Sequence, residues 1–239
     1  MKMRRINNGM ISASPHLPAS FPPTVRSVQL AGPAGRLEAI LNSGSPHAPF
    51  AALVCHPHPL GGGNLHNKVV YHAMKALNAP EWGLAWPVLR FNFRGTGLSD
   101  GVYHGEAEAG DVLAALDWLQ RKYSLPIVGA GFSFGAAMLI KACCDRQPNP
   151  VRALAALGLP VRPQNPADIY PSLASCLLPK LFLSGDQDRF ATAAELARIH
   201  SSAAEPKKLV LIPGADHFFT GHLDEMQQTL SGWLKEQLP

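Results

Sequence analysis

The sequence is poor in charged residues and in long apolar runs. Charged side chains make up 16% of the 239 residues and apolar ones 46%, a balance typical of a folded globular chain rather than a disordered one. No apolar stretch approaches the ~20 residues that a membrane-spanning helix requires, so no membrane association is expected. The net charge of +4 comes from scattered basic residues. Because they form no stripe interleaved with aromatic residues, a nucleic-acid partner is not expected either.

Cysteine is scarce, and its spacing is not that of a metal site or a redox motif. The four residues Cys55, Cys143, Cys144 and Cys176 include no C-x-x-C pair, and adjacent cysteines on a helix point in different directions. They are predicted to be reduced, mostly buried thiols. The basic N-terminus is not followed by the apolar stretch of a signal peptide, because residues 7–9 (Asn-Asn-Gly) interrupt it. A cytoplasmic protein is therefore expected.

The order of the predicted elements indicates one α/β domain. Residues 1–24 are rich in proline, serine and asparagine and are predicted to be a flexible N-terminal arm, followed by a single domain over residues 25–239. Two antiparallel strands are predicted first, at Val25–Leu30 and Leu37–Leu41. Strands and helices then alternate, which gives a mostly parallel sheet with helices on both faces and with its chemistry at the carboxyl ends of the strands. The later predicted strands are Ala51–Cys55, Pro87–Phe93, Pro126–Ala130, Val151–Leu159, Lys180–Gly185 and Lys208–Ile212, and the predicted helices are Asn67–Leu77, Glu108–Lys122, Ala136–Ile140, Thr192–Ile199 and Leu223–Leu234.

The most informative segment is Gly131-Phe132-Ser133-Phe134-Gly135. It lies between an apolar run typical of a buried strand and an alanine-rich run that favours a helix, which is the setting of the G-x-S-x-G nucleophile elbow. The glycines are needed because the helix leaves close to the strand, so a Cβ atom two residues on either side of the serine would clash. The helix N-terminus then points at any negative charge that develops beside the hydroxyl. Ser133 is the predicted nucleophile.

A second match to the same pattern is Gly97-Leu98-Ser99-Asp100-Gly101, which also follows a predicted strand. Loop-forming residues come next, and no helical apolar period begins before about Ala109. A nucleophile elbow requires strand, turn and helix without a gap. Ser99 is therefore predicted to lie in a flexible strand-exit loop and to have no catalytic role.

A serine nucleophile needs a histidine base and an orienting carboxylate, which follow the serine in the chain order Ser, Asp or Glu, His. Three histidines come after the Lys180–Gly185 strand. His200 ends a predicted helix and His222 begins the last one. His217 directly follows the last strand, at the edge where the chemistry is expected, and is the predicted base.

The acid is expected in the segment that follows the Lys180–Gly185 strand, which contains Asp186 and Asp188. Asp186 comes immediately after the strand and suits a turn-capping role. Asp188 lies two residues further out, where the loop can direct its carboxylate toward a histidine. Asp188 is the predicted acid, and Asp186 is the alternative.

Two backbone N–H groups are expected to bind the oxyanion of the tetrahedral intermediate. One belongs to Phe134, the residue after the nucleophile. The other is expected in the loop after the first buried strand, where Pro57 and Pro59 have no N–H. This leaves His58 as the predicted second donor, or Leu60 if the turn is wider.

The same loop allows a metal-binding alternative. His56 and His58 form an H-x-H pair on an extended segment, which can bind zinc, and His66 lies nearby in the sequence. No neighbouring carboxylate or cysteine completes a ligand set. The prediction is therefore no metal and no cofactor.

Six segments together resemble the α/β-hydrolase superfamily over residues 25–238. The resemblance is closer to the small lidless bacterial hydrolases that carry His-Pro-His-Pro followed by Gly-Gly. It implies an α/β-hydrolase fold with little or no cap domain, in which the acid is the last residue of Gly-x-x-Asp; this supports Asp188. The segments are His56–Pro59 with Gly61-Gly62, Asn67–Val70, Leu89–Gly95, Gly131–Gly135, Gly185–Asp188 and Asp216–Phe219.

These observations predict a serine hydrolase that cleaves a small acyl ester or thioester through an acyl-enzyme intermediate. No long insertion follows the predicted Val151–Leu159 strand, so short or exposed acyl groups are expected. One alternative is a peptidase or carbon–carbon hydrolase, because these activities differ in the pocket and not in the triad. Another is a non-catalytic binding protein on a hydrolase fold, whose usual sign is a lost triad residue. A small-molecule acyl substrate is the expected partner, and the sequence gives no indication of an oligomeric state.

Overall fold

The computed structural model of the chain describes residues 24–144, 150–161 and 170–238. Nearly all of the predicted arm (residues 1–24) lies outside the described residues, so the proposed domain boundary stays a prediction.

Within the described ranges the chain forms eight strands and five α-helices. The strands are β1 (Val25–Gly32), β2 (Gly35–Asn42), β3 (Ala51–Cys55), β4 (Val88–Phe91), β5 (Ile127–Phe132), β6 (Val151–Leu157), β7 (Lys180–Gly185) and β8 (Lys207–Ile212). The helices are α1 (Lys68–Asn78), α2 (Ala109–Tyr123), α3 (Phe134–Cys144), α4 (Ala193–Ser202) and α5 (Leu223–Gln237).

The strands form one mostly parallel sheet in the order β1-β2-β4-β3-β5-β6-β7-β8. β2 pairs antiparallel with both β1 and β4, and the other neighbours are parallel. The prediction of two leading antiparallel strands before a parallel sheet is confirmed. β4 ends at Phe91, two residues earlier than predicted, because the Phe93 N–H donates to the His56 ring at 3.0 Å and not to a neighbouring strand.

Helices cover both faces of the sheet, and β3 illustrates how the sequence allows this. Its five residues are all buried. Leu53 and Cys55 pack in the cluster that includes α2, α3 and α4, whereas Ala52 and Val54 pack in the cluster that includes α1 and α5. A strand with two covered faces is apolar at every position, so the strand ends are the accessible part of the sheet. No helix within the described ranges combines the length and the apolar character needed to span a membrane.

Two of the four cysteines are paired, so the prediction of four reduced thiols is wrong. Cys144, the last residue of α3, forms a disulfide with Cys176, and their Cα atoms are 5.0 Å apart. The segment after residue 170 folds back on α3, a long-range contact that cysteine spacing does not reveal. Cys55 and Cys143 are buried and are not part of this disulfide, and burial raises the pKa of Cys143 to about 12. The expected cytoplasmic location stays a prediction, and the disulfide weighs against it because such bonds are rare in that compartment.

Candidate active site

The turn between β5 and α3 has the geometry of a nucleophile elbow. Ser133 adopts a left-handed conformation with φ of 54°, which is uncommon for a residue with a side chain. A Cβ atom on Gly131 would lie 2.5 Å from the Gly135 carbonyl oxygen, and one on Gly135 would lie 2.5 Å from the Cys55 carbonyl oxygen. The prediction that larger residues would clash at both glycines is confirmed, and the two close contacts explain why the turn requires them.

The structure brings Ser133, His217 and Asp188 into one hydrogen-bonded chain. The Ser133 Oγ lies 3.0 Å from His217 Nε2, and His217 Nδ1 lies 2.8 Å from Asp188 Oδ2. A carboxylate only accepts hydrogen bonds, so Nδ1 carries the ring proton. Nε2 is then free to accept the serine proton, which is the tautomer that a general base requires.

Asp188 is held in place by three donors. Besides His217, the Ser184 hydroxyl donates to its Oδ2 at 3.0 Å and the Phe190 N–H donates to its Oδ1 at 2.8 Å. The sequence analysis missed Ser184; its only signal was a single polar residue near the end of an apolar strand. The alternative acid, Asp186, is exposed and accepts the Gly214 N–H at 2.8 Å, so the structure directs Asp188 and not Asp186 toward the histidine.

Aromatic rings surround the His217 imidazole. The ring centroids of Phe190, Phe132 and Phe218 lie 4.4, 5.0 and 5.2 Å from that of His217, and the His217 side chain is only 5% exposed. The neighbouring Asp216 fixes the loop that presents it. Backbone N–H groups two and four residues later donate to the Asp216 carboxylate at 2.9 Å, and they lower the pKa of Asp216.

The other two candidate histidines lie elsewhere. The His200 ring packs against Phe182, with centroids 6.1 Å apart, at the end of α4. His222 precedes α5 and pairs with Glu225 at 3.3 Å. Neither ring is hydrogen-bonded to Ser133, so the order argument that selected His217 agrees with the geometry.

The two predicted oxyanion donors lie beside the serine. Phe134 is the first residue of α3. The first hydrogen bonds of the helix are donated by the Ala136 and Ala137 N–H groups to the Ser133 carbonyl. Within the described part of the chain, the Phe134 N–H therefore has no acceptor. His58 lines the same cavity as Ser133, whereas Leu60 does not and is 76% exposed. The geometry therefore favours His58 over Leu60, and the donor role itself stays a prediction.

Tyr103 is a residue near the site that the sequence analysis missed. Its hydroxyl lies 2.8 Å from His58 Nε2, and its ring, the His58 ring and the Phe134 ring have centroids 5.0 to 5.7 Å apart. This three-ring cluster joins the loop after β4 to the loop after β3, which contains His58, and to the start of α3. The buried Glu108 carboxylate fixes the same loop by accepting the N–H groups of His104 and Gly105 at 2.7 and 2.9 Å.

The metal-binding alternative does not fit the histidines that suggested it. Both ring nitrogens of His56 are engaged: Nδ1 donates to the Pro57 carbonyl at 2.7 Å, and Nε2 accepts the Phe93 N–H at 3.0 Å. His58 Nε2 is bonded to Tyr103. Among the residues that the structure describes, no three His, Cys, Asp or Glu side chains are grouped as metal ligands would be.

Burial of His56 predicts a loss of stability in mild acid. Desolvation lowers its pKa from 6.5 to about 4, against a smaller opposing effect of the Pro57 hydrogen bond. Between pH 6.5 and 4, the unfolded chain therefore binds a proton at His56 that the folded chain does not bind. The stabilisation is complete above pH 6.5 and is lost as the pH falls from 6.5 to 4. The contribution of this group to the free energy of unfolding is expected to decrease by about 2–3 kcal/mol between pH 7.5 and 4.5.

Urea unfolding of the wild-type protein and of the His56→Gln variant at the two pH values measures this contribution. Glutamine does not titrate, and its amide oxygen can take the place of Nε2 as acceptor of the Phe93 N–H, so the variant should lose that part of the pH dependence. His66→Gln, which removes an exposed histidine, is the matched control and should keep it. Equal pH dependence in wild type and His56→Gln would contradict the prediction.

The serine of the second G-x-S-x-G match links two elements of the fold. The Ser99 hydroxyl donates to the Asn92 carbonyl at 2.7 Å and accepts the Glu38 N–H at 2.9 Å. It is nearly buried, with 9% exposure, and ties the loop after β4 to β2. No hydrogen bond within the described residues links it to a histidine.

A cavity of about 1040 Å³ opens next to the triad. It follows α3 from Ser133 past Met138 to Lys141, which is a distance of about 12 Å at the helical rise of 1.5 Å per residue. Its walls are mostly apolar, and the described residues that line it include the cationic side chains of Lys141 and Arg189. A space of this size and character suits a small organic molecule with one reacting group at the serine.

Comparisons with known proteins agree with this geometry. Residues 63–236 match the family described as alpha/beta hydrolase domain. A Rickettsia prowazekii protein, described as uncharacterized, is 36% identical over 212 residues, which are 85% of this chain and 86% of that protein.

Two solved structures are also similar. One is from Xanthomonas campestris, described as a member of the α/β serine hydrolases without lid; it has a TM-score of 0.78 and 30% identity and covers 92% of this chain and 97% of its own. The other is an α/β serine hydrolase homologue from Coxiella burnetii, with a TM-score of 0.79 and 34% identity over 90% of this chain and all of its own. With the family match over residues 63–236, these similarities show that the chain belongs to the α/β-hydrolase family.

Proposed function

We propose that this α/β hydrolase is a serine esterase or thioesterase acting on small acyl substrates. One observation carries the proposal: the unbroken hydrogen-bonded chain from the Ser133 hydroxyl through His217 to Asp188, with distances of 3.0 and 2.8 Å. A neutral serine hydroxyl is a weak nucleophile, and a histidine held in the right tautomer activates it.

In the proposed acylation step, Ser133 Oγ attacks the acyl carbon while its proton passes to His217 Nε2. The carbonyl oxygen becomes an oxyanion, which the Phe134 and His58 N–H groups stabilise. The imidazolium is stabilised by the Asp188 carboxylate. When the carbon–oxygen or carbon–sulfur bond to the leaving group breaks, His217 returns the proton to that group, and the acyl enzyme is left.

In the deacylation step, water takes the place of the leaving group. His217 removes a proton from the water as its oxygen bonds to the acyl carbon, and a second oxyanion forms at the same donors. Collapse of this intermediate breaks the bond to Ser133 Oγ, which regains its proton from His217. The products are a carboxylic acid and a free enzyme, and no cofactor enters either step.

The complete triad supports catalysis over a purely binding role, in which one of the three residues is usually lost. A peptidase or carbon–carbon hydrolase would use the same three residues, so the choice among these activities depends on the pocket. The cavity is apolar near Met138 and open to small acyl groups, which supports esters and thioesters.

A fluorophosphonate probe tests the proposal directly. Ser133 Oγ is expected to displace fluoride from phosphorus, with its proton passing to His217, and so to gain a stable phosphonyl group. Intact-mass and peptide analysis should place a single adduct on Ser133. Labelling should disappear in Ser133→Ala and persist in Ser99→Ala. Equal labelling of Ser133→Ala, or an adduct on another serine, would refute the proposed role.

A further inference from the structure

The two cationic side chains of the large cavity differ in their partners. Lys141 Nζ lies 3.1 Å from Glu106 Oε2, so it has a carboxylate partner. Arg189 has no carboxylate within ion-pair distance in the described part of the chain. Its guanidinium carbon lies 5.1 Å from the centroid of the Phe190 ring, where the ring face attracts a cation without neutralising it. Among the described residues that line the cavity, Arg189 is therefore a positive charge that stacks on an aromatic ring and has no carboxylate partner.

That charge lies on the His217 side of the reaction centre. Phe190, on which Arg189 stacks, has its ring centroid 4.4 Å from that of His217. Arg189, His217 and Phe218 also line a second, smaller cavity of about 240 Å³. The acidic side chain of that smaller cavity is Asp216, whose Oδ1 already accepts the N–H groups of Phe218 and Thr220.

The proton transfer from His217 to the leaving group determines which part of a substrate lies near Arg189. His217 Nε2 must return its proton to the departing oxygen or sulfur, so the leaving group has to lie next to the imidazole. The acyl carbonyl oxygen points to the oxyanion donors instead. A group beyond the departing atom, such as a para substituent on a phenol leaving group, is then directed toward the arginine that flanks His217.

We propose that Arg189 binds an anionic group, a carboxylate or a phosphate, on the leaving group of the substrate. Guanidinium is well suited to this because its parallel N–H groups match the two oxygens of such an anion. The proposal rests on the serine hydrolase function above and adds a substrate class to it. The substrates are acyl esters or thioesters of an alcohol or thiol that carries a carboxylate or a phosphate.

The test compares two aryl acetates that share an acyl group, 4-acetoxybenzoate and phenyl acetate. The ratio of their kcat/KM values measures the preference for a carboxylate on the leaving group, and any unfolded fraction of a preparation cancels in it. Arg189→Gln is expected to lower this ratio about five- to tenfold, and Arg189→Lys should retain more of it. Arg198→Gln, which removes an equal charge from the exposed surface of α4, should keep the wild-type ratio.

A second pair tests the side of the reaction centre. Monophenyl adipate and phenyl hexanoate carry the charge difference on the acyl group, and their ratio should change little in Arg189→Gln. A change in this ratio and not in the first would overturn the leaving-group assignment. No change in either would overturn the arginine's role. Both failures leave Ser133 labelling intact, whereas failure of the labelling would remove the proposed function itself.

Discussion

Replacing Ser133 with alanine is expected to lower kcat/KM for p-nitrophenyl acetate by about 10⁴-fold or more. The substitution removes the single atom that bonds to the acyl carbon, and His217 and Asp188 cannot act without it. Alanine keeps the Cβ atom, so the strained turn at φ of 54° changes little and the free energy of unfolding should stay close to that of the wild type. Steady-state kinetics together with urea unfolding measure both quantities.

Ser99→Ala is the matched control, because it alters the same pentapeptide pattern elsewhere in the chain. Its nearly buried hydroxyl makes two hydrogen bonds, and its loss leaves the Glu38 N–H without that acceptor. The free energy of unfolding should therefore fall by about 1–3 kcal/mol, while turnover per folded molecule is retained. Wild-type turnover by Ser133→Ala, or its loss only in Ser99→Ala, would show that the nucleophile has been assigned to the wrong serine.

Asp188→Asn is expected to lower kcat by about 10³- to 10⁴-fold. The asparagine oxygen can still accept the Phe190 N–H, so the loop keeps one of its hydrogen bonds. Its amide nitrogen, however, would donate to His217 Nδ1 and shift the ring proton to Nε2. The histidine could then no longer accept the Ser133 proton. A pH–rate profile in addition to kcat separates this effect from a general loss of structure.

Ser184→Ala provides the graded comparison for Asp188→Asn. It removes one of the three donors to Asp188 and leaves the His217 and Phe190 hydrogen bonds in place. A decrease in kcat of less than about tenfold is expected, in line with one neutral hydrogen bond. If the two variants lost activity equally, the carboxylate would owe its effect to loop structure and not to the imidazole.

Much of the fold follows from local sequence patterns. The continuous apolar run of β3 and the helical periods of α1 and α2 are visible in the sequence. The predicted bounds of β3 are the observed ones, and those of α1 and α2 differ by one residue at each end. The later helices α3, α4 and α5 extend three or four residues beyond their predicted ends. The end of β4 was placed too late, because Phe93 is apolar like the strand before it. Its N–H bonds to His56, which lies 37 positions earlier, and no local pattern carries that information.

The candidate site likewise contains residues that the sequence predicts and residues that it does not predict. Ser133 and His217 could be selected because each lies at a defined point in the order of strands and helices. The position of Asp188 two residues beyond the strand favoured it over Asp186, and the family resemblance supported that choice. The contacts of its carboxylate with Ser184 and Phe190 could be seen only in the structure. Residues that act across loops, such as Tyr103, were not predictable, because their partners are set by the packing of segments far apart in the chain.

The close approach of Gly135 to the Cys55 backbone has a consequence for changing this enzyme. Main-chain atoms set the distance between the Ser133 turn and the end of β3, and side-chain substitutions at distant positions of the cavity do not replace these atoms. The more distant cavity wall includes Met138 and Val161. Directed evolution confined to that wall should therefore alter which substrates are accepted while the reacting groups keep their alignment, and glycine 135 is the position to leave out of any such library.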